Sequence, residues 1–436
     1  MSEILIRGGR VIDPFSSSSF SADLLIREGR IVSISRGIAR NGFKVWEADG
    51  KYIFPGFLDL HAHLREPGGE EAEDLESGLM AAVRGGYTAV CCMPNTEPPL
   101  DHPELVDALY LKARSMGMAD LFPVGCITRG RKGRELADMG LLNSSLARVR
   151  AFSDDGDCVM DSGLMRRALR YSRALGTVII SHPEDSALSS NGQVNEGKVS
   201  YRLGLRGIPS LAEEVMVARD ILLAEETGAR LHLAHVSTAR SVRLIREAKE
   251  RGVPVTAEAT PHHLILTEED IPGYDANFKV KPPLRTKEDV EALREALADG
   301  TIDAVATDHA PHTLQSKEQE FDYAPFGISG LETSFSLLYT ELVLKGELSL
   351  EELVGLFTSG PARVLDLSPP LYGGEFVEGR VADLVIFDPQ ASWTIDPSRF
   401  ASKGKNTPFA GKEVKGKVVG VLKGGRIVYE DEALCE

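Results

Sequence analysis

The stretch Phe57-Leu58-Asp59-Leu60-His61-Ala62-His63 is a short β-rich run followed by a longer segment with helical spacing. Runs of the same kind recur through the middle of the chain, and most are separated by helix-like segments. The eight predicted strands are 57–63, 87–93, 121–127, 148–153, 177–182, 229–235, 253–257 and 302–308. Helices are predicted between them at 73–84, 103–115, 163–175, 212–226, 238–251 and 287–297. Eight strands alternating with helices predict an α/β fold of the (β/α)8, or TIM-barrel, type over residues 55–361.

The two ends of the chain carry a different pattern, which occurs three times. Residues 4–12, 24–32 and 421–428 each contain a β-rich run, a turn with glycine and a second β-rich run. Each copy is predicted to form a β-hairpin. Because short strands need partners, we expect residues 1–54 and 362–436 to form one composite small β-sandwich domain beside the barrel. Similar hairpins can also arise from composition alone.

Composition excludes several classes of protein. The 436 residues are 42% hydrophobic and 26% charged, which is typical of a globular chain. The charge sum, 49 − 65 = −16, argues against nucleic acid or an anionic membrane as the main partner. An anionic substrate must therefore be met by local cations.

Cysteine usage and the N-terminus bear on location. The five cysteines form no C-x-x-C pair, and an odd, sparse count does not indicate a disulfide framework. The first residues have no basic and apolar signal-peptide pattern, and no apolar run approaches the ~18 residues of a membrane span. We expect a cytoplasmic protein with no membrane partner.

Histidines lie at the ends of several predicted strands. His61 and His63 are two residues apart on the first strand and therefore share a face. His182 ends the fifth strand and His235 the sixth. Because the carboxyl ends of barrel strands meet at one rim, these side chains can converge on a metal ion. His232 falls on the opposite face and is predicted to be structural.

Acidic residues occupy the same rim. Asp308 ends the eighth strand, and Ser153-Asp154-Asp155-Gly156 follows the fourth, although two acids before glycine are also an ordinary turn signal. Asp59 could orient a histidine or act only as a structural acceptor. Four histidines with one or two carboxylates suit zinc, which activates water for attack on an amide-like carbon.

Polar residues next to these positions suit an anionic substrate. Arg65 follows the histidine pair and Asn95 follows the second strand; a guanidinium binds a carboxylate bidentately, and an amide adds another donor. The alternative for Arg65 is an ion pair with Glu66 or Asp59. The polar segment 313–325 is predicted to be a mobile loop beside the site, either closing over substrate or simply disordered.

A set of motifs resembles the amidohydrolase superfamily and, within it, the class I dihydroorotases. The resemblance extends along nearly the whole chain and is carried by residues 55–68, 93–96, 152–156, 235–238, 260–264, 282–285, 307–312 and 327–333. The first of these reads Pro-Gly-Phe-Leu-Asp-Leu-His-Ala-His-Leu-Arg-Glu-Pro-Gly.

The resemblance implies zinc-dependent, reversible hydrolysis of (S)-dihydroorotate to N-carbamoyl-L-aspartate in pyrimidine biosynthesis. It implies one or two zinc ions per subunit, two being favoured, held by His61, His63, Asp155, His182, His235 and Asp308. Asp308 would be the catalytic base and then acid while metal-activated hydroxide attacks the ring carbonyl. The implied substrate-binding residues are His63, Arg65, Asn95, Lys281, His312, Phe326 and Gly327. Lys281 departs from the asparagine usual there and supplies a charged donor without an acceptor.

Two alternatives stay open. A hydantoinase, dihydropyrimidinase or allantoinase would act on a related cyclic amide, but such relatives typically bridge their metals with a carboxylated lysine, where this chain offers Asp155. A non-catalytic barrel could instead serve a neighbouring carbamoyltransferase. By analogy we also expect a homodimer and a possible complex with aspartate carbamoyltransferase.

Overall fold

A computed structural model gives the fold and describes residues 3–16, 18–39, 42–367, 372, 375–431 and 434. Its strands within these ranges are β1 (Ile4–Asp13), β2 (Ser18–Arg27), β3 (Arg30–Ser35), β4 (Lys44–Glu47), β5 (Tyr52–Pro55), β6 (Phe57–Ala62), β7 (Tyr87–Cys92), β8 (Asp120–Pro123), β9 (Ala151–Phe152), β10 (Val178–Ser181), β11 (Val194–Asn195), β12 (Gly207–Ile208), β13 (Leu231–Leu233), β14 (Val255–Ala259), β15 (Ala304–Val305), β16 (Leu384–Thr394), β17 (Glu413–Lys423) and β18 (Arg426–Glu430).

The α-helices follow the strands along the chain. They are α1 (Leu75–Arg84), α2 (Pro103–Met116), α3 (Met139–Asn143), α4 (Ser162–Leu175), α5 (Ser186–Ser189), α6 (Lys198–Leu203), α7 (Leu211–Thr227), α8 (Ala239–Glu250), α9 (Pro261–Ile265), α10 (Lys287–Ala298), α11 (Leu314–Lys317), α12 (Ser334–Leu338), α13 (Leu350–Phe357) and α14 (Ser359–Val364). In the described ranges, no helix has both the length and the apolar character that crossing a membrane requires.

Eight parallel strands close into a ring. Strands β6, β7 and β8 pair in that order, as do β9, β10, β13, β14 and β15. Parallel bridges between Gly125 and Phe152 and between Ala62 and His309 join the two groups at both edges. This closed order is that of a (β/α)8 barrel, and it brings the carboxyl ends of all eight strands to one rim.

The predicted alternation is confirmed, with shifts at the element boundaries. Each of the eight predicted barrel strands overlaps an observed one, and the six predicted helices correspond to α1, α2, α4, α7, α8 and α10. Several strands are shorter than their apolar runs; the eighth retains ladder pairing only at Ala304–Val305. Apolar runs continue into loops because buried connections also need apolar side chains.

Strands from both ends of the chain share one sheet. Its order is β18-β17-β16-β5-β1-β2-β3, with β4 also paired to β1. Two of the three repeated segments form hairpins as predicted, β2–β3 and β17–β18. The prediction for residues 4–12 was wrong, because they form the single strand β1. Its Gly8-Gly9 is a bulge, not a turn: Gly8 has φ +76 and donates to Asp23 Oδ1 at 2.9 Å.

Candidate active site

Six predicted metal ligands come together at the rim. His61 lies on β6 with His63 just beyond it, His182 follows β10, and His235 comes two residues after β13. Asp155 and Asp308 each follow a strand by three residues. His235 and Asp308 have positive φ, 33° and 47°, a conformation that side chains with a Cβ rarely adopt. Such local strain is common at functional sites, where the surrounding structure enforces it.

Asp155 lies among four imidazole rings. Its Oδ1 is 3.2 Å from His61 Nε2, 3.5 Å from His182 Nδ1 and 3.6 Å from His235 Nε2. Its Oδ2 is 3.5 Å from His63 Nε2. Burial raises the pKa of Asp155, but the surrounding histidines hold that pKa well below its usual range. One ionised carboxylate can therefore face two pairs of nitrogen ligands at once.

The neighbouring Asp154 has a structural role. Its carboxylate accepts from Ile127 N at 2.9 Å, from Thr128 N at 3.0 Å and from the Thr128 hydroxyl. These bonds join the segments after β8 and β9. Of the two acids in the motif, Asp155 is therefore the one available to a ligand.

Asp308 completes the other side of the cluster. Its Oδ1 is 3.2 Å from His63 Nε2 and 3.5 Å from His61 Nε2. Burial raises its pKa, but hydrogen bonding to His63 and the charges of His61 and His235 hold it well below the usual range. A buried, ionised carboxylate at this position can accept a proton from a reacting group.

The residues fit a metal ion. His61, His63 and Asp308 place ligand atoms within 4.8 Å of one another, and so do His61, Asp155 and His235. His61 Nε2 and Asp155 Oδ1 are buried without a hydrogen-bond partner. Buried polar atoms are rarely left unsatisfied in native proteins, and imidazole with carboxylate is a donor set that divalent zinc accepts.

Glu258 orients the first histidine. His61 Nδ1 donates to Glu258 Oε1 at 2.9 Å, which directs Nε2 at the cluster, where a bound metal ion would take its lone pair. Glu258 Oε2 is 2.9 Å from His232 Nε2, so the predicted structural histidine supports the site from behind. Among the described residues Asp59 bonds to no imidazole ring, although its Oδ1 accepts from the His61 backbone N at 3.4 Å. Its carboxylate instead accepts from Thr307 N and Oγ1, at 2.9 and 2.6 Å, as a structural acceptor.

Arg65 is a partly buried cation facing the cluster. Its Nε donates to Pro311 O at 3.1 Å, and its backbone has φ 58. Over the described chain, no carboxylate oxygen lies within 4.0 Å of the guanidinium. Glu66 pairs instead with Lys112, and Asp59 with Thr307. The expected alternative of a local ion pair for Arg65 is therefore wrong.

Asn95 bonds to His63, and His312 lies next to the Arg65 guanidinium. Asn95 Oδ1 accepts from His63 Nδ1 at 2.8 Å, which keeps the amide Nδ2 available as a donor. His312 Nε2 donates to Phe326 O at 2.8 Å and is 3.3 Å from Arg65 Nη2. Burial and the charge of Arg65 lower the pKa of His312 to about 3, so this ring is neutral.

Lys281 reaches the rim of the barrel near Glu184 and Phe326. Its Nζ is 2.7 Å from Glu184 Oε1 and 5.7 Å from the centre of the Phe326 ring. The second oxygen of Glu184 is 3.6 Å from His182 Nε2. Lys281 is therefore held at the edge of the site through a carboxylate that also faces a candidate metal ligand.

The segment 313–325, predicted to be a mobile loop, is tied to the barrel by two lysines, and its movement stays a prediction. Lys279 donates to the carbonyls of Phe321, Asp322 and Ala324 at 2.6 to 3.2 Å. Lys317 donates to the carbonyls of Pro325 and Gly327 at 2.9 and 3.1 Å. Both lysines are almost fully buried. They fix the segment that carries Phe326 and Gly327 at the site.

Sequence reasoning missed several supporting residues, namely Glu184, Glu258 and Asn406. Glu258 follows the predicted seventh strand and could have been found by the strand-end criterion used for the histidines. Asn406 carried no such signal, because it belongs to the connection between β16 and β17. Only the folded chain brings it to the barrel.

Comparisons with known proteins find relatives over nearly the whole chain. Residues 50–241 match the family described as Dihydro-orotase-like, and residues 218–429 match the Amidohydrolase family. A curated dihydroorotase from Pelotomaculum thermopropionicum is 52% identical over 99% of this chain and 100% of its own length. One from Anaeromyxobacter dehalogenans is 50% identical over 99% of both chains.

Solved structures with the same fold include other cyclic amidases. The L-hydantoinase (dihydropyrimidinase) from Arthrobacter aurescens has a TM-score of 0.85 at 26% identity, covering 99% of this chain and 97% of its own. The dihydropyrimidinase from Brevibacillus agri has a TM-score of 0.84 at 25% identity, covering 99% and 95%. The shared architecture thus spans almost the entire chain.

Proposed function

Because the chain belongs to the dihydroorotase family, we propose that it catalyses the reversible, zinc-dependent hydrolysis of (S)-dihydroorotate to N-carbamoyl-L-aspartate. The reaction opens a cyclic amide in de novo pyrimidine biosynthesis. Full-length relatives at about 50% identity carry the name dihydroorotase, which supports this substrate over those of the more distant structural neighbours.

The observation that carries the proposal is the unpaired guanidinium of Arg65. A partly buried cation that faces a carboxylate-lined site without a direct carboxylate partner is well placed to bind an anionic ligand. Arg65 faces the cluster of His63 and Asp308, and Asn95, which bonds to His63 through Oδ1, keeps its Nδ2 available for a ligand. A ring that bears a carboxylate would satisfy Arg65 and Asn95 together. A neutral hydantoin or dihydrouracil ring would leave the charge unpaired.

Zinc would be held by His61, His63, Asp155, His182, His235 and Asp308, in one or two sites, and when bound it would polarise the ring carbonyl and make water more acidic. Asp308 takes the proton of the attacking water and passes it to the departing ring nitrogen. Arg65 and Asn95 orient the ring by its carboxylate, with His312 next to the guanidinium. Phe326 and Gly327, next to His312, would contact the ring, and Lys281 would reach it from the edge of the site beside Phe326.

A second candidate function is hydrolysis of a neutral cyclic amide. Structural likeness to the Arthrobacter aurescens hydantoinase over 99% of the chain favours it. The position of Asp155 argues against it, because this acid and not a lysine lies among the four histidines. Arg65 argues against it for the reason given above.

The test is hydrolysis of L-dihydroorotate by zinc-loaded protein, with hydantoin and dihydrouracil in parallel. We expect turnover of dihydroorotate alone. The variant Arg65→Met should raise KM for dihydroorotate by roughly 10- to 100-fold, the usual worth of a charged hydrogen-bonded pair. Arg166→Met is the matched control, because Arg166 pairs with Glu226 on the surface. Turnover of only the neutral rings would overturn the proposal in favour of a hydantoinase.

The setting of the enzyme is also proposed. A cytoplasmic location is supported by the four described cysteines, which are all unpaired; Cys435 lies outside the described residues. A homodimer and a complex with aspartate carbamoyltransferase rest on family analogy, and gel filtration with and without the transferase would test both.

A further inference from the structure

We propose that Asn406 is a positioning residue that holds two substrate-contacting loops of the site in register. The first, the His312 loop, comprises residues 309–312 after β15. The second, the Gly327 loop, comprises residues 326–329. The inference rests on the proposed function, which gives both loops their substrate.

The side-chain amide of Asn406 bonds to both loops with each of its ends. Nδ2 donates to Ala310 O at 3.0 Å and to Gly327 O at 2.9 Å. Oδ1 accepts from His312 N at 3.0 Å and from Ser329 Oγ at 3.0 Å. A backbone N–H can only donate and a carbonyl can only accept, so the partners fix the orientation of the amide. No other side-chain type of this size offers two donors and an acceptor in this arrangement.

The two loops pack closely enough that a small displacement of one would move the other. Ala310 N donates to Ile328 O at 2.9 Å, and His312 Nε2 donates to Phe326 O at 2.8 Å. Gly327 has φ +145, and a Cβ there would lie 2.6 Å from Ala310 O. The bonds of Asn406 lie on both sides of this contact. Its loss would leave Ala310 O and His312 N without these partners and let the loops separate.

Asn406 is itself fixed by contacts other than those of its side-chain amide. It is 4% exposed, and its carbonyl accepts from Ser329 N at 2.7 Å. Phe400 and Phe409, on either side of it in sequence, pack in an apolar cluster with Leu337 on α12. Because the backbone is anchored on both sides, removing the amide changes the loops and leaves the connection in place.

The test compares Asn406→Ala and the isosteric Asn406→Asp with wild type. Asp retains the acceptor for His312 N but places an oxygen against Ala310 O and Gly327 O. We expect both variants to raise KM for dihydroorotate at least ten-fold while kcat falls less than three-fold, because Asn406 contacts neither Asp308 nor the metal-binding histidines. Zinc content per subunit should be unchanged. Asn143→Ala is the matched control, because Asn143, at the end of α3, also donates through Nδ2 to a backbone carbonyl, that of Val149, at 2.9 Å. The kinetics of this variant should equal those of wild type.

A second readout does not depend on activity. Hydrogen exchange measured by mass spectrometry should be at least ten-fold faster in both variants for peptides covering 309–312 and 326–329, and unchanged for the barrel strand β10. Unchanged exchange would overturn the tie between the loops. Two outcomes would overturn the positioning role of Asn406. One is faster hydrogen exchange with an unchanged KM, and the other is a fall in kcat and zinc content with an unchanged KM. If wild type fails to hydrolyse dihydroorotate, the proposed function fails, and exchange still decides whether Asn406 holds the loops.

Discussion

Asp308 is the single residue on which the proposed proton transfer depends. It is buried, ionised and held at 3.2 Å from His63 Nε2. Asp308→Asn keeps the size of the side chain but removes its basicity, so we expect kcat to fall by roughly 10²- to 10⁴-fold, the usual worth of general acid–base catalysis. Zinc should largely remain, because the other five ligands are intact. Steady-state kinetics with metal analysis of the same sample measures both, and near-normal turnover would contradict the proposed role.

Lys281 stands where the resemblance to class I dihydroorotases implies an asparagine, and its contact with substrate is a proposal. Its ammonium is held at 2.7 Å from Glu184 and reaches the edge of the site beside Phe326. We expect Lys281→Met to raise KM for dihydroorotate by roughly ten-fold, since a hydrogen bond to the ring is lost, and Lys281→Asn to stay near wild type. Lys287→Met, on the exposed face of α10, serves as the control. Equal KM values in all four proteins would show that Lys281 only neutralises Glu184.

Individual residues were predictable where local spacing or a strand end marked them. His61 and His63 follow from their spacing of two, and His182 from the apolar run before it. Glu184 and Asn406 could not be identified in this way, because their roles depend on partners far away in sequence. Asn406 contacts residues 77 to 96 positions earlier, and no local pattern encodes such a contact.

At the scale of elements, the sequence predicted the type and order of the strands and helices better than their first and last residues. Alternating apolar runs set the strands, because burial favours β-branched and aliphatic residues there. The last residue of a strand is set by its last hydrogen bond to the neighbouring strand, so it depends on that neighbour and not on the local sequence alone. Residues 4–12 show the limit: a bulge and a turn both need glycine at positive φ, and only the partner strand β2 distinguishes them.

The contacts that tie segment 313–325 to the barrel could not be predicted from its sequence for a related reason, and its buried lysine gives a pH prediction. Burial and nearby Lys279 lower the pKa of Lys317 from 10.5 to about 7, while Asp275 opposes the shift. Between these values the unfolded chain binds more protons than the folded one, so this group makes folding more favourable as pH rises. Lys317→Met removes that dependence. Relative to wild type, the variant should therefore be less stable at pH 9 than at pH 7, by about 2 kcal/mol.

Thermal unfolding midpoints at pH 7 and pH 9 check this difference. Lys287→Met is again the matched control, because the Lys287 side chain is 84% exposed and its loss should leave the pH dependence of wild type unchanged. A parallel pH response of Lys317→Met and wild type would mean that Lys317 stays protonated in the folded chain up to its ordinary pKa.

For the whole molecule, the sheet built from both ends of the chain determines how the barrel begins and how the site is completed. Strand β5 pairs antiparallel with β16 and leads through Gly56 directly into β6, which carries His61. The connection from β16 to β17 then supplies Asn406. The sequence repeats predicted the shared sheet, but they contain no information about this contribution to the barrel.

Metal binding depends on the whole folded barrel, because the proposed ligands lie at the ends of five different strands. An ion bound only by the folded state stabilises it by RT ln(1 + [L]/Kd), about 4 kcal/mol at a thousand-fold excess over Kd. We therefore expect chelation to lower the thermal midpoint by several degrees and added zinc to restore it. Asp155→Asn should lose most of this response, since Asp155 faces four of the histidines. His102→Asn, at an exposed histidine, should respond as wild type does. A midpoint that ignores both chelator and zinc would contradict a metal site shared among these strands.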